Sequence, residues 1–281
     1  MITPHLFGVI FALTSAVSWG TGDFSGGVAT RKQNQFQVLM LMTIPGIVIL
    51  ALISVAVSEP FPPLQDALWA TSAGVCGALG IAALYRGLSL GHTATVAPTA
   101  AVIGAGLPVI FSSLYIDLPE TPRFLGFLAA IIGIWFVSRP PDGQLRTSGP
   151  GFVLAVLAGI GFGVFFILIA QVREGLVFGP LVFAKTASLV LACVLIVARG
   201  NRLPGLGSNP VAICAGVFDA GGNAFFMLAK QFTRLDVAAV VASMYPAVTV
   251  ILASMILRET FGSTQWCGVA LCMLAIALIG V

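Results

Sequence analysis

The chain repeats one pattern of small residues in its two halves. A shift of 142 positions, without a gap, superposes these pairs: Gly74 on Gly216, Ala78 on Ala220, Gly80 on Gly222, Ala97 on Ala239 and Ser112 on Ser254. A shift of 143 positions superposes the preceding parts: Gly8 on Gly151, Ala12 on Ala155, Gly20 on Gly163 and Thr43 on Thr186. Because one register holds through several predicted helices, we interpret the chain as two copies of one unit, residues 1–140 and 148–281.

The amino-acid composition indicates whether the two units fold in water or in a membrane. Hydrophobic residues make up 58% of the chain and charged residues 8%, whereas soluble domains carry about 25% charged residues. So few charges cannot cover a water-exposed surface. The sequence therefore predicts a multi-pass protein of the cell (inner) membrane.

Ten apolar segments are long enough to cross a bilayer as helices, since a span needs ~20 residues. We place them near residues 6–27, 36–57, 66–90, 93–115, 121–138, 150–171, 180–198, 209–230, 235–257 and 264–281. Each unit contains five of them, and because five is odd the second unit must enter the membrane from the opposite face. The predicted fold is all-α, with ten transmembrane helices in two inverted five-helix repeats, as in many secondary transporters.

Two prolines inside these segments predict helix kinks. Proline removes an intrahelical hydrogen bond, and in a membrane this is tolerated mainly beside a cavity or another helix. We expect a kink or a broken segment near the cavity at Pro98 and at Pro246.

Several short motifs, taken in order, resemble a known family. They are Trp19-Gly20, Tyr85-Arg86-Gly87-Leu88, Val96-Ala97-Pro98, Tyr245-Pro246 and Leu257-Arg258-Glu259. With the two-copy layout, they make the chain similar to the EamA family of the drug/metabolite transporter superfamily. The resemblance implies ten helices and a central cavity walled mainly by helices three, four, eight and nine, with one and six. Members of the family move amino acids, nucleosides, cofactors and other small metabolites.

The chain departs from the family pattern at two places. It has Leu114-Tyr115-Ile116-Asp117 where the family often shows Gly-Glu. Its second helix lacks the family's frequent arginine, while Lys185 lies near the equivalent place in helix seven. For this reason the substrate is not carried over from the family.

Asp23 and Arg86 are predicted to form an ion pair. Each lies a few residues before the end of its helix, and helices one and three run in the same direction, so the two charges share a depth. The pair is interpreted equally well as a gate at one mouth of the cavity or as a structural ion pair at the membrane interface.

Lys185, Asp219 and Asn223 are predicted to line the cavity. Asn223 follows Asp219 by one helical turn, and the depths of Lys185 and Asp219 differ by roughly 9 Å at ~1.5 Å per residue. Ionisable residues inside a membrane usually mark a substrate or proton pathway. Asp219 is the residue we expect to bind a coupled proton. The alternative is a buried pair that only fixes helix packing.

Aromatic side chains should complete the walls of the cavity. The candidates are Trp19, Phe162, Phe166, Phe225, Phe226 and Tyr245. Such walls suit a small amphipathic ligand, although for any one ring plain helix packing or lipid contact is the commoner role. His5 and His92 have no partner at metal-ligand spacing, so neither a metal nor a cofactor is predicted.

The predicted function is secondary transport of a small metabolite, amino-acid-like or otherwise amphipathic, by alternating access, with export favoured. The open alternatives are an uptake permease and a flippase for lipids or lipid-linked sugars. A membrane enzyme is disfavoured because no H-E-x-x-H, G-x-S-x-G or D-D-x-x-D motif is present. The expected partners are the solute and membrane lipids, and no charge run indicates nucleic acid. A homodimer is left open.

The loop charges predict an orientation that conflicts with the resemblance. The side opposite the N-terminus carries Arg31, Lys32, Arg86, Arg139, Arg146, Arg199, Arg202 and Arg258. The N-terminal side carries Arg123, Arg173, Lys230 and Arg234. By the positive-inside rule, the termini lie outside the cytoplasm, whereas the family resemblance implies that they lie inside.

Overall fold

The computed structural model describes residues 3–90, 93–137, 149–257 and 262–279, and all regular elements in these ranges are helices. The helices are α1 (Pro4–Ala29), α2 (Gln35–Ala56), α3 (Leu64–Ser89), α4 (Thr93–Tyr115), α5 (Thr121–Val137), α6 (Gly149–Ile169), α7 (Phe178–Ala198), α8 (Pro210–Phe232), α9 (Leu235–Ala242), α10 (Tyr245–Leu257) and α11 (Ser263–Ile279).

Local signals in the sequence set where the helices begin. The Leu6 amide donates to Thr3 Oγ1 (3.3 Å) ahead of α1, and Pro4 occupies the first turn, where its missing N–H costs nothing. Asn34 and Gln37 form a capping box at α2, with Gln37 N donating to Asn34 Oδ1 (3.0 Å) and Asn34 N to Gln37 Oε1 (3.3 Å). These caps fix the first turns of α1 and α2, and the predicted starts of both helices fall within two residues of the observed ones.

Five helices in the described ranges are long and apolar enough to cross a membrane: α2, α3, α6, α7 and α8. In α2 the polypeptide remains helical through Pro45, and in α4 it remains helical through Pro98, so neither proline interrupts its helix.

The predicted helix over 235–257 is not continuous, and the interruption at Pro246 is a broken segment and not a kink, one of the two outcomes that the proline predicted. The chain forms α9 and α10, separated by Ser243 and Met244. Proline at position 246 has no N–H for the carbonyl of Ala242, and its ring clashes with that carbonyl. The helix therefore ends at Ala242 and restarts with Tyr245 and Pro246 in the first turn of α10.

Helices of one half pack against helices of the other, and equivalent helices of the two halves make equivalent contacts. α1 packs against α8, and its counterpart α6 packs against α3. α4 lies on α6, and the counterparts α9 and α10 lie on α1. The second helices of the halves, α2 and α7, pack on each other, as do the fifth, α5 and α11.

Two glycines allow α3 to approach α7 closely and, in the equivalent contact of the other half, α8 to approach α2. A Cβ on Gly74 would lie 2.0 Å from the carbonyl oxygen of Ala184, and a Cβ on Gly216 would lie 1.9 Å from that of Met42. Both distances are far inside van der Waals contact. The glycine pair and the carbonyl pair are each separated by 142 positions, so the repeat preserves the contact, and the small residues serve as helix-packing sites.

Candidate functional site

A cavity lies where the two halves meet. Its walls come from α1, α2, α3, α4, α6, α7 and α8 and from the α9–α10 junction. The empty volume is ≈ 780 Å³, part of which is open to the exterior.

Lys185, Asp219 and Asn223 meet on one wall of this cavity. Lys185 Nζ donates a hydrogen bond to Asp219 Oδ2 and forms an ion pair with it. Asn223 Nδ2 donates to the Asp219 carbonyl oxygen (2.5 Å) and to Asp219 Oδ1 (3.2 Å). All three residues are buried. The carboxylate is thus held on one side by the lysine and on the other by the amide.

A glycine of α2 lies beside the lysine side chain. α2 packs against both α7 and α8. A Cβ at Gly46 would be in ordinary contact with Lys185 Cδ (3.9 Å) and in tight contact with Ala220 Cβ (3.3 Å). The small residue therefore lets α2 pack closely on α8 next to the ion pair.

Asp23 lies on the same cavity but outside this pair. It is half-buried on α1 and lines the cavity. It is close enough to Asp219 for the two carboxylates to interact electrostatically, and the same holds for the hydroxyls of Tyr85 and Tyr245. In the described ranges, no ion pair or side-chain hydrogen bond joins Asp23 to another residue.

Tyr85, and not its neighbour Arg86, is the residue of α3 that faces Asp23. A Cβ at Gly26, one turn from Asp23, would lie 1.9 Å from the Tyr85 hydroxyl oxygen, and Tyr85 is 1% exposed. Arg86 is exposed and does not line the cavity, and no ion pair between Asp23 and Arg86 occurs among the described residues. Successive helix residues point about 100° apart, so equal depth did not imply a common direction. The predicted Asp23–Arg86 gate is corrected on this point.

The aromatic candidates divide into cavity rings and packing rings. Trp19, Phe162, Phe166 and Tyr245 line the cavity, and Phe165 joins them. Phe226 is fully buried behind Trp19 and Phe166, with ring centroids 5.9 Å and 4.7 Å away. Phe225 instead stacks on Phe11 at 6.3 Å.

The break between α9 and α10 faces α1 beside the cavity. Thr249 Oγ1 donates to the carbonyl oxygens of Gly20 (3.1 Å) and Tyr245 (3.2 Å). Ser243 and Tyr245 then reach the cavity wall. The hydroxyls of Tyr85 and Tyr245 are buried and have no hydrogen-bond partner among the described residues.

Several lining residues escaped the sequence-based prediction. Thr43, Ser188, Ser243 and Phe165 line the cavity, and Tyr85 stands behind Asp23. Ser188 also bonds the carbonyl oxygens of Gly74 (2.9 Å) and Ala184 (3.0 Å). Uncharged residues in an apolar helix carry no signal of which neighbour they face, although the repeat already pairs Thr43 with Thr186.

Polar contacts between the halves tie together the face that carries the N-terminus. Glu59 accepts hydrogen bonds from the first amides of α7, Val177 N (2.5 Å), Phe178 N (3.0 Å) and Gly179 N. Arg173 pairs with Asp66 (2.6 Å). Such carboxylates at helix N-termini are favoured by the helix dipole.

The described residues include no group of three metal-ligating side chains. His5 instead bonds the Ile279 carbonyl oxygen and Thr233 Oγ1, each at 2.9 Å. His92 lies outside the described residues.

Comparison with known proteins identifies the family of this chain and a structure with a similar fold. None of the curated proteins compared with the chain matches it. A crystal structure of another protein is 17% identical, covers 96% of this chain and 95% of that chain, and has a TM-score of 0.76. At this identity the likeness shows the fold alone. The EamA-like transporter family matches residues 6–139 and again residues 149–281. Because the two matches take in nearly the whole chain, this multi-pass membrane protein belongs to the EamA-like transporter family.

Proposed function

We propose that the protein is a secondary transporter that moves a small amphipathic metabolite across the cytoplasmic (inner) membrane. The observation that carries this proposal is the cavity between the two halves, whose wall combines a buried polar cluster with aromatic rings. A site at the interface of two repeats can be opened to either side when the repeats rock against each other. Membership of a transporter family supports the same reading.

The proposal includes ten transmembrane spans in two inverted repeats, over residues 1–140 and 148–281. The exchangeable packing of the halves supports it, because α1 on α8 and α6 on α3 are equivalent contacts. α9 and α10 together form the ninth span. In alternating access, the helix contacts that close the cavity on one side of the membrane open, while the equivalent contacts of the other half close.

Export is the proposed direction, and Asp219 is the proposed site of a coupled proton. A central polar cluster favours a soluble metabolite over a lipid, because a flippase needs polar groups at one end of a laterally open cavity. No cofactor takes part in the proposal.

Solute uptake by proteoliposomes tests the proposal. The purified protein is reconstituted into liposomes, and a panel of radiolabelled amino acids, amines and nucleosides is added outside them, with and without a pH gradient. We expect protein-dependent movement of at least one solute. Empty liposomes and a protein carrying Gly74→Trp, which fills the contact between α3 and α7, are the controls. Movement of lipid probes with no movement of any solute would favour the flippase instead.

A further inference from the structure

We infer that Asp23, with the Tyr245 hydroxyl and the ring of Trp19, forms a binding site for a small organic cation, so that the solute is a protonated amine. This inference rests on the proposed transport function and names the substrate class of the same cavity.

The charges of the cavity support a cation. The charged side chains on its described wall are Asp23, Lys185 and Asp219. Lys185 already neutralises Asp219 through the ion pair. Among the described residues, no cation pairs with the other carboxylate of the wall, that of Asp23. A carboxylate removed from water is costly unless a cation accompanies it, and a solute ammonium placed beside Asp23 supplies that charge.

An aromatic ring is positioned beside the carboxylate by the helix itself. Trp19 and Asp23 are four residues apart on α1, so they share one helix face. Both line the cavity, and Phe166 packs against Trp19 with ring centroids 5.6 Å apart. A cation is attracted to the face of an aromatic ring, most strongly to tryptophan. Carboxylate and ring therefore act on the same occupant.

Tyr245 supplies a hydrogen-bond acceptor that the protein leaves unused. It lines the cavity and is 7% exposed, and its hydroxyl oxygen has no partner among the described residues. Buried polar atoms normally find a partner. A protonated amine has up to three N–H donors, enough for the Tyr245 oxygen and the Asp23 carboxylate together.

An inorganic cation fits this wall less well. Hard metal ions take six or more oxygen ligands, whereas most of the surface around Asp23 is aromatic or aliphatic. An organic cation uses both the carboxylate and the apolar wall.

Calorimetric binding to the purified full-length protein tests the assignment. The probes are phenethylamine, its neutral analogue 2-phenylethanol and the zwitterion phenylalanine, measured at one pH, with Na⁺ added as a competitor. We expect phenethylamine to bind at least about tenfold more tightly than either analogue, which corresponds to 1.4 kcal/mol. Equal affinities for the amine and the alcohol, or displacement of the amine by Na⁺ at millimolar concentration, would overturn the inference.

Variants locate the site. Asp23→Asn should reduce amine affinity to that of the alcohol and leave the alcohol's affinity unchanged. Tyr245→Phe should cause a smaller loss. Asp117→Asn makes the same chemical change at an exposed position outside the cavity and should alter nothing. If Asp23→Asn retained the preference for the amine, Asp23 would not hold the cation. The comparison of the amine with the alcohol on the unmodified protein does not depend on the variant folding.

The outcome separates this inference from the proposed function. Selective binding of the amine without its movement into proteoliposomes would support the cation site and contradict the proposed transport function. Movement of neutral or anionic solutes, with no preference for cations, would leave transport and remove the cation site.

Discussion

Lys185 of α7 donates a hydrogen bond to the carboxylate of Asp219 on α8. The side chains of the two residues are only 10% and 12% exposed. Since removing one member of a buried ion pair leaves an isolated charge, the two residues should behave as a unit in both folding and transport.

Loss of Lys185 alone should be more damaging than loss of the whole pair. Lys185→Met leaves a buried carboxylate and should destabilise the protein by about 3–5 kcal/mol. The double variant Lys185→Met/Asp219→Asn should lose clearly less. Thermal unfolding in detergent, followed by size-exclusion chromatography, measures both. A double variant as unstable as the sum of the two single variants would show that the pair is not coupled.

Asp219→Asn should separate accumulation from exchange. The amide retains hydrogen-bonding capacity but cannot bind and release a proton. We expect gradient-driven accumulation in proteoliposomes to disappear while exchange of labelled for unlabelled solute continues. Equal loss of both activities in a folded protein would indicate a binding or structural role. Unchanged accumulation would remove Asp219 from the mechanism.

Gly74→Ala and Gly216→Ala should destabilise the protein to a similar degree. In each case the new methyl group would press on a backbone carbonyl of the opposite half, and overpacking of this kind costs typically 1–3 kcal/mol. Gly106→Ala is the matched control, because no neighbouring atom lies within 4 Å of its Cβ position. The control should be neutral or slightly stabilising in the same unfolding measurement. Equal effects at all three glycines would mean that helix propensity, and not packing, explains the change.

Asp23 should couple to Tyr85 and not to Arg86. In a double-mutant cycle, Asp23→Asn and Arg86→Gln should be additive within about 0.3–0.5 kcal/mol, as expected for groups that do not meet. Asp23→Asn combined with Tyr85→Phe should deviate from additivity by more than this. The measured quantity is the free energy of unfolding or of amine binding. Strong coupling to Arg86 would restore the ion-pair gate that the sequence predicts.

The orientation of the chain can be measured with two single cysteines. Asn201 lies on an exposed loop of the face rich in arginine, and Glu174 is exposed on the face that carries the N-terminus. By the positive-inside rule, the face of Asn201 is cytoplasmic. In a cysteine-free background, an impermeant thiol reagent added to intact cells should label Glu174→Cys and spare Asn201→Cys. The reverse pattern would place the termini inside the cell.

The sequence by itself determined the features that depend on local interactions and on solvent. Its low charge content indicated a membrane protein, its apolar runs indicated where the helices lie, and its small-residue register indicated two equivalent halves. These features could be predicted because they are visible in the sequence without knowledge of which side chains meet.

Tertiary structure alone decided which side chains meet. An apolar helix in a membrane is apolar towards both lipid and protein, so its sequence does not reveal its rotation about its own axis. Packing against the opposite half turned Tyr85 towards Asp23 and Arg86 away. It also placed Gly46 beside Lys185. The proline of Tyr245-Pro246 was visible in the sequence, but only the contact with Gly20 in α1 shows why the broken helix borders the cavity.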